Sequence, residues 1–329
     1  MTSQTNPYQA FPAITNDLAR VDRIIRERLT SEVVLIRTIS EYIIGAGGKR
    51  LRPVLLVLFA RALGYGRDGA THHWMLAAAV EFIHTATLLH DDVVDESTLR
   101  RNRNTANAEF GNAAAVLVGD FLYSRAFQMM VEAQNLQILR ILADATNTIA
   151  EGEVLQLMNC HDPDVDEVAY LQVIRYKTAC LFEAASRIGA VLGSDDPAVQ
   201  EAAAAYGRHL GTAFQLIDDV LDYGGASDEL GKNIGDDLRE GKPTLPLIRV
   251  MQAGTPEDRA IVREAIEQGG SARFADIRAA IERTDALAYT RARAEREAQL
   301  AQVAISTLPA SEHRDALLYF AAYSVSRSS

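Results

Sequence analysis

Apolar residues recur at i, i+3 and i+4 along most of the chain, the spacing that lines one face of a helix. Alternating β-branched runs closed by Asn-Gly or Asp-Gly turns are almost absent. No proline stands between Pro53 and Pro163, and that stretch is rich in Ala, Leu, Glu and Gln, so successive long helices are expected there. The pattern predicts an all-α bundle. Two of its helices stand out. The first runs from about Thr71 to beyond Asp95 as WMLAAAVEFIHTATLLHDDVVDE, apolar nearly all round in its middle, as a central helix is. The second starts at Pro197, a favoured first helical position after the capping Asp196, and runs to the Gly224-Gly225 pair that should stop it. Two loops interrupt the periodicity: the glycine-rich Gly45 to Gly48 segment before Lys49, and Gly231 to Pro246, which reads GKNIGDDLREGKPTLP. After Gly254 the helical pattern resumes with no evident chemistry, as if completing the bundle.

Composition narrows the picture. With 48% hydrophobic and 23% charged residues over 329 positions, the chain can bury a large core. Its 33 basic and 44 acidic residues give a net charge of -11, which argues against a nucleic-acid partner, since such a partner calls for a basic surface. Cys160 and Cys180 are too few and too distant for a disulfide framework and read as core thiols of a reducing compartment. The first twenty residues lack a basic start followed by an apolar stretch, so a cytoplasmic location is expected. The longest uncharged apolar runs, such as Val54 to Ala60, fall far short of the roughly 20 residues that cross a bilayer.

The candidate chemistry lies in an aspartate pattern, D-D-x-x-D, that occurs twice: Asp91, Asp92, Asp95 and Asp218, Asp219, Asp222. On a helix, positions i and i+4 share a face, so each copy projects two carboxylates the same way. At about 4 Å a like-charge pair costs on the order of 4 kcal/mol at a typical effective dielectric, so a partly buried trio calls for cations. Magnesium suits it, as a hard ion that takes a few carboxylates and completes its shell with water and phosphate oxygens. A single such motif is more often a wet helix face. Two copies, flanked by Leu88, Leu89, Val93 and Val94 and by Leu216, Ile217, Val220 and Leu221, weigh against that reading. Cations stand at nearby loop positions: Lys49, Arg50 and Arg52, then Arg100 and Arg101, then Lys232 and Lys242. Arginine grips phosphate bidentately and lysine supplies a mobile charge, so two diphosphate sites are expected, one reached through metal and one held directly.

Through HTATLLHDDVVDES, FGNAAAVLVGDFLYSRAFQMM, EGEVLQL, FQLIDDVLDY and GKNIGDDLREGKPTLP, the chain resembles the trans-isoprenyl diphosphate synthases, or polyprenyl synthetases. It looks closest to the bacterial members that make octaprenyl, nonaprenyl or decaprenyl side chains of quinones. The resemblance implies one catalytic domain over residues 21–329, a bundle of antiparallel helices around a central cleft, after a mobile segment 1–20. It implies repeated condensation of isopentenyl diphosphate onto an allylic diphosphate such as farnesyl diphosphate, by a homodimer. Three magnesium ions are expected with substrate bound. Asp91, Asp95 and Asp218 would be the metal ligands, supported by Asp92, Asp219 and Asp222. Lys177, Lys232, Lys242 and Arg100 would hold the allylic diphosphate. Lys49, Arg52, His84 and Arg101 match the isopentenyl diphosphate pocket, and Thr178 and Gln215 match positions facing the developing allylic cation. Asn102 departs from the family's usual glycine after the paired arginines, and Asn tolerates positive φ better than most residues.

Below the first trio lie Ala86 and Thr87, with Ala79 deeper. In the resembling family, bulky residues at the first two positions stop chain growth early, so a long product is implied. Phe127, Met129 and Met130 are candidates for the floor of the cavity, though core packing is the simpler role for them. A terpene cyclase or head-to-head condensing enzyme would need no isopentenyl diphosphate pocket, and a non-catalytic partner subunit would not need both acid trios.

Overall fold

Stretches rich in Ala, Leu and Glu and free of internal proline can close their own backbone hydrogen bonds, and here they do so along nearly the whole chain. The computed structural model describes residues 8, 11–45, 47–100, 103–224, 235–269 and 273–327. The order is α1 (Pro12–Arg28), α2 (Val34–Gly45), α3 (Leu51–Ala62), α4 (His72–Val94), β1 (Leu99–Arg100), β2 (Arg103–Asn104), α5 (Ala106–Phe110), α6 (Asn112–Glu132) and α7 (Leu136–Asn159). There follow α8 (Glu167–Ile174), a π-helical turn (Arg175–Ala179), α9 (Cys180–Gly193), α10 (Pro197–Gly224) and α11 (Asp236–Arg239). The chain ends with α12 (Leu245–Ala253), α13 (Pro256–Gln268), α14 (Phe274–Arg283), α15 (Ala286–Ala304) and α16 (Glu312–Ser326).

The two helices expected to matter most appear where the sequence puts them. In α4 the run from Leu76 to Ile83 is buried on every side, so this helix is central, with α6 along one flank and α1 and α3 along others. α10 starts as its composition predicts, the Asp196 carboxylate accepting the Ala198 N–H at 2.8 Å. Its close approach to α9 depends on missing side chains: a Cβ at Gly207 would lie 2.3 Å from the Phe182 carbonyl oxygen. On the far side of α9, Gly189 permits the same against Leu56 of α3, also at 2.3 Å. The buried Tyr206 hydroxyl donates to the Leu317 carbonyl at 2.7 Å and ties α10 to α16. These contacts fix the α3, α9, α10 stack that carries the second aspartate trio.

Three features depart from expectation. The segment expected to be mobile, residues 1–20, includes the first nine residues of α1, with Ile14 buried and Asp17 held by Arg61 at 2.9 Å and by the Trp74 indole at 2.7 Å. A two-residue antiparallel ribbon, β1 with β2, follows the first trio, pairing Leu99 with Asn104. It is too short to leave an alternating pattern. The π-helical turn between α8 and α9 was equally unreadable. It sits where Gly152 of α7 comes so close that a Cβ there would lie 2.6 Å from the Lys177 backbone nitrogen. Such turns are frequent at functional sites.

Candidate active site

Both trios fall at the C-terminal ends of their helices, Asp91 to Asp95 on α4 and Asp218 to Asp222 on α10. Helix C-termini already carry partial negative charge, so acidic side chains there are stable only if cations meet them. The structure shows which cations do. Asp91 faces the Lys177 ammonium at 3.4 Å, and Lys177 also donates to Glu153 of α7 at 2.6 Å. Asp95 receives Lys242 at 2.8 Å, and Lys242 is shared with Glu240 at 2.5 Å. Asp92 points the other way, is buried, and accepts two bonds from the Arg100 guanidinium, at 2.9 and 2.7 Å. The i and i+4 logic holds for Asp91 and Asp95, with Asp92 as the anchor of Arg100 on the ribbon.

The second trio is divided in the same manner. Asp218 is the open carboxylate, its side chain 43% exposed, and accepts a 2.7 Å bond from Arg327. Arg327 is itself buried, stacks on Phe214 with its guanidinium carbon 3.8 Å from the ring centre, and donates to the Phe214 carbonyl at 2.7 Å. Asp219 is fully buried, accepting from the Tyr170 hydroxyl and from Gln215 at 3.2 Å. Burial, and then the nearby Asp237, push its carboxyl well above the usual range. Asp222 is partly buried at the end of α10, its carbonyl accepting the Gly235 N–H at 3.3 Å.

Charge links the two trios. Asp237 of α11 acts electrostatically on Asp219 from one side and on Lys242 from the other, and Lys242 grips Asp95. Burial works against a charged Lys177, but Asp91 and Glu153 outweigh it and raise its pKa, and Lys242 is raised likewise by Asp237, Asp95 and Glu240. Burial also lifts the Glu153 carboxyl, with Lys177 opposing and Asp91 adding to the rise. The result is a cluster of charges balanced only locally.

Beside it lie the remaining expected residues. Thr178 donates to the Gln215 Oε1 at 3.2 Å, so these two polar side chains meet between the π-helical turn and α10. Arg52 lies over the Phe182 ring at 4.3 Å, and burial pulls its pKa down to about 10, which leaves it charged near neutrality. Lys49 stands 5.7 Å from the centre of the Phe214 ring, the ring on which Arg327 also stacks. Arg50, between them, turns inward to Glu81 at 2.5 Å and adopts φ 46°, so this member of the basic loop holds the loop in place. His84 and Arg100 line a pocket of about 850 Å³, measured with its open mouth, on the side of α4 that faces α1 and α2. Arg101, Asn102 and Lys232 lie outside the described residues.

Ala86 is fully buried, in one packed cluster with Ala79, Met129 and Met130, against which Phe127 also packs. Thr87 is partly buried and donates to the His84 carbonyl at 2.8 Å. Neither cysteine is a fully buried core thiol. Cys160 is partly buried at the end of α7, and Cys180, also partly buried, is pushed up to about 12 by burial.

Several site residues escaped the sequence reading. Glu153, Asp237 and Glu240 stood inside quoted motifs without a role of their own. Tyr170 and Arg327 had no signal at all, and Arg327 corrects the expectation that the chain beyond Gly254 only completes the bundle.

An all-helical frame that brings two D-D-x-x-D helix ends together with lysines and arginines defines a class of enzyme that works on prenyl diphosphates. Comparison with known proteins agrees. The polyprenyl synthetase family matches residues 33–284. Octaprenyl diphosphate synthase of Escherichia coli (strain K12) is 52% identical over 312 residues, covering 94% of this chain and 96% of that protein. The all-trans-nonaprenyl-diphosphate synthase (geranyl-diphosphate specific) of Rhodobacter capsulatus is 47% identical over 93% of each chain. Among solved structures, a polyprenyl synthase from Caulobacter crescentus CB15, complexed with calcium and isoprenyl diphosphate, superposes with a TM-score of 0.92 at 48% identity, covering 98% of each chain. The chain belongs to the polyprenyl synthetase family and is a prenyltransferase.

Proposed function

We propose that this chain condenses isopentenyl diphosphate repeatedly onto an allylic diphosphate such as farnesyl diphosphate, making a long all-trans polyprenyl diphosphate for a quinone side chain. The observation that supports the site assignment is that Asp91, Asp95 and Asp218 each meet one cation at the end of a helix, Lys177, Lys242 and Arg327 in turn. These oxygen donors suit a hard divalent ion. Among the described residues no three His, Cys, Asp or Glu side chains converge as a ready-made ion cage. Magnesium, which keeps water and takes phosphate oxygens as ligands, fits such an open set. When bound, it would neutralise the departing diphosphate.

The chain's own groups do the rest. Lys177, Lys242 and Arg100 supply positive charge where negative charge grows as the allylic C–O bond breaks, with Lys232 expected to join them. Thr178 and Gln215 turn polar oxygens toward the allylic carbon, and the helical walls keep water from capturing the cation. Lys49, Arg52, His84 and Arg101 hold isopentenyl diphosphate, whose double bond attacks, and its proton leaves to the released diphosphate.

Small Ala86 and Thr87 below the first trio favour a long product. Residues 21–329 act as one catalytic domain, to which the packed start of α1 from Pro12 also belongs. A homodimer is supported by apolar side chains left exposed on α6 and α7, among them Leu117, Val131, Leu136, Val154, Leu157 and Met158. Cytoplasmic placement is our reading of the sequence. Among the described residues no helix is long and apolar enough to cross a membrane.

The test is incubation of the purified chain with labelled isopentenyl diphosphate, farnesyl diphosphate and magnesium, followed by sizing of the dephosphorylated products. Octaprenyl to decaprenyl alcohols are expected. Failure to consume isopentenyl diphosphate, or cyclic products, would overturn the reading.

A further inference from the structure

Lys242 reaches Asp95 from a loop, and a loop lysine is placed only as well as its loop. Between α11 and α12 that loop turns at Gly241, with φ 68°. It is held on two sides. Inwardly, the Lys242 N–H donates to the Asp237 carbonyl at 2.9 Å. Outwardly, the turn itself meets His161, just past the end of α7, while Thr244 further along the loop pairs with the Tyr223 hydroxyl of α10 at 3.2 Å. The His161 backbone N–H donates to the Gly241 carbonyl at 2.9 Å, and its ring Nδ1 bonds the Ile266 carbonyl of α13 at 3.0 Å. A carbonyl has no proton to give, so Nδ1 is the donor.

The ring leaves no room on its loop side. A Cβ at Gly241 would lie 2.3 Å from Nδ1, and one at Gly269, which ends α13, would lie 2.9 Å from Cε1. Gly269 in turn sits against the Arg239 carbonyl, where its Cβ would be 2.9 Å away. His161, Gly241 and Gly269 all have positive φ, 64°, 68° and 58°. Three positive-φ backbones thus meet at one point, two of them glycines that adopt it without strain, with the imidazole wedged among them. For a non-glycine residue this conformation is uncommon, and the surrounding contacts must hold it.

We infer that His161 is a positioning residue for the allylic diphosphate site: it clamps the Gly241 turn between α7 and α13 and so sets where Lys242 points. The clamp is economical in sequence terms, because α7 also carries Glu153, the partner of Lys177. α7 and the turn just after it therefore brace both lysines that meet the first trio. The functional half of the inference rests on the proposed role of Lys242, whereas the clamp itself does not.

The test separates the two halves with the full-length protein. His161→Gly removes the ring while accepting the same φ, so backbone strain is not confounded with loss of the clamp. His161→Asn keeps a side-chain donor and tolerates positive φ. Hydrogen exchange across residues 235–245 reads the clamp without any substrate. The KM for farnesyl diphosphate against the KM for isopentenyl diphosphate, with magnesium, reads its consequence, and Lys242→Gln serves as reference.

His161→Gly keeps the backbone bond to Gly241 and loses the ring's packing and its bond to the Ile266 carbonyl, a loss that should be worth about tenfold. In His161→Gly, exchange at Gly241 and Lys242 should quicken about tenfold and the farnesyl diphosphate KM should rise about tenfold. The isopentenyl diphosphate KM should stay within about twofold, and His161→Asn should restore both readouts. Unchanged exchange in His161→Gly overturns the clamp, whatever the activity. Faster exchange with both KM values moving together, or neither moving while Lys242→Gln raises the farnesyl diphosphate KM, overturns the positioning role. An unmoved KM in Lys242→Gln overturns the functional half by way of the lysine's own role, leaving the exchange result to judge the clamp.

Discussion

Gly207→Ala should damage both stability and catalysis, although alanine is the better helix former. In an open helix interior the change would gain roughly 1 kcal/mol. At Gly207 the added Cβ would meet the Phe182 carbonyl oxygen at 2.3 Å and the Glu183 Cα at 2.7 Å, and both are backbone atoms of α9 that cannot swing aside. Real Cβ contacts stay beyond 3.0 Å, so α10 must move away from α9 by at least the difference, 3.0 minus 2.3, or 0.7 Å. Overpacking of that kind costs about 1 to 3 kcal/mol, enough to lower the melting temperature by a few degrees. Asp218 lies eleven residues further along the same helix and is carried with it. A misplacement near 1 Å can cost about a hundredfold, so kcat should fall roughly tenfold to a hundredfold. Gly224→Ala is the control, since its nearest neighbour would be a flexible Leu287 methyl at 3.4 Å. The assays are thermal unfolding and initial-rate incorporation of isopentenyl diphosphate. A Gly207→Ala protein that melts at or above the parent temperature with unchanged kcat would refute the argument that the α9 and α10 contact sets the second trio.

Ala86→Tyr should shorten the product, because Ala86 is fully buried about one turn before Asp91 and a phenol there would stand in the proposed path of the growing chain. Thin-layer sizing that shows unchanged products would sink that idea. His73 should make the protein sensitive to acid. It is fully buried and held down at about 4, by burial first and the Arg61 charge second, against about 6.5 when unfolded. A lowered folded-state value means stability present above pH 6.5 and lost as pH falls toward 4, by about 3 kcal/mol for this group. In urea titrations at a series of pH values, His73→Phe should show a shallower loss across that window, and an identical slope in both proteins would contradict the assignment.

The frame was legible because long proline-free apolar segments have few alternatives to helix, and Asp196 with Pro197 marked one start correctly. The acid motifs were legible because their spacing, repetition and apolar flanks are local facts. What distinguishes Asp218 from Asp219 was hidden. One helical step of about 100° turns Asp219 against Tyr170, and Tyr170 lies 49 positions earlier in the chain. Arg327 was invisible for the same reason, a single arginine among serines that acquires meaning only when α16 returns its end to α10. The π-helical turn around Lys177 depends on Gly152 of a separate helix, so no local pattern could announce it. The basic loop was read as a cluster of three cations, of which Lys49 and Arg52 were assigned to substrate, and Arg50, at a left-handed φ, pairs instead with Glu81.

The central claim is that the two aspartate trios hold an allylic diphosphate jointly, through divalent metal. Calorimetric titration with an unreactive thiodiphosphate analogue of farnesyl diphosphate measures this without turnover, in the parent protein, Asp91→Asn and Asp218→Asn, each with magnesium and with chelator. The account predicts tight binding only for the parent protein with magnesium, and about a hundredfold weaker binding in either variant or after chelation, on the scale of losing charge-assisted contacts worth about 3 kcal/mol. Equal affinity with and without magnesium, or in the parent and both variants, would contradict it.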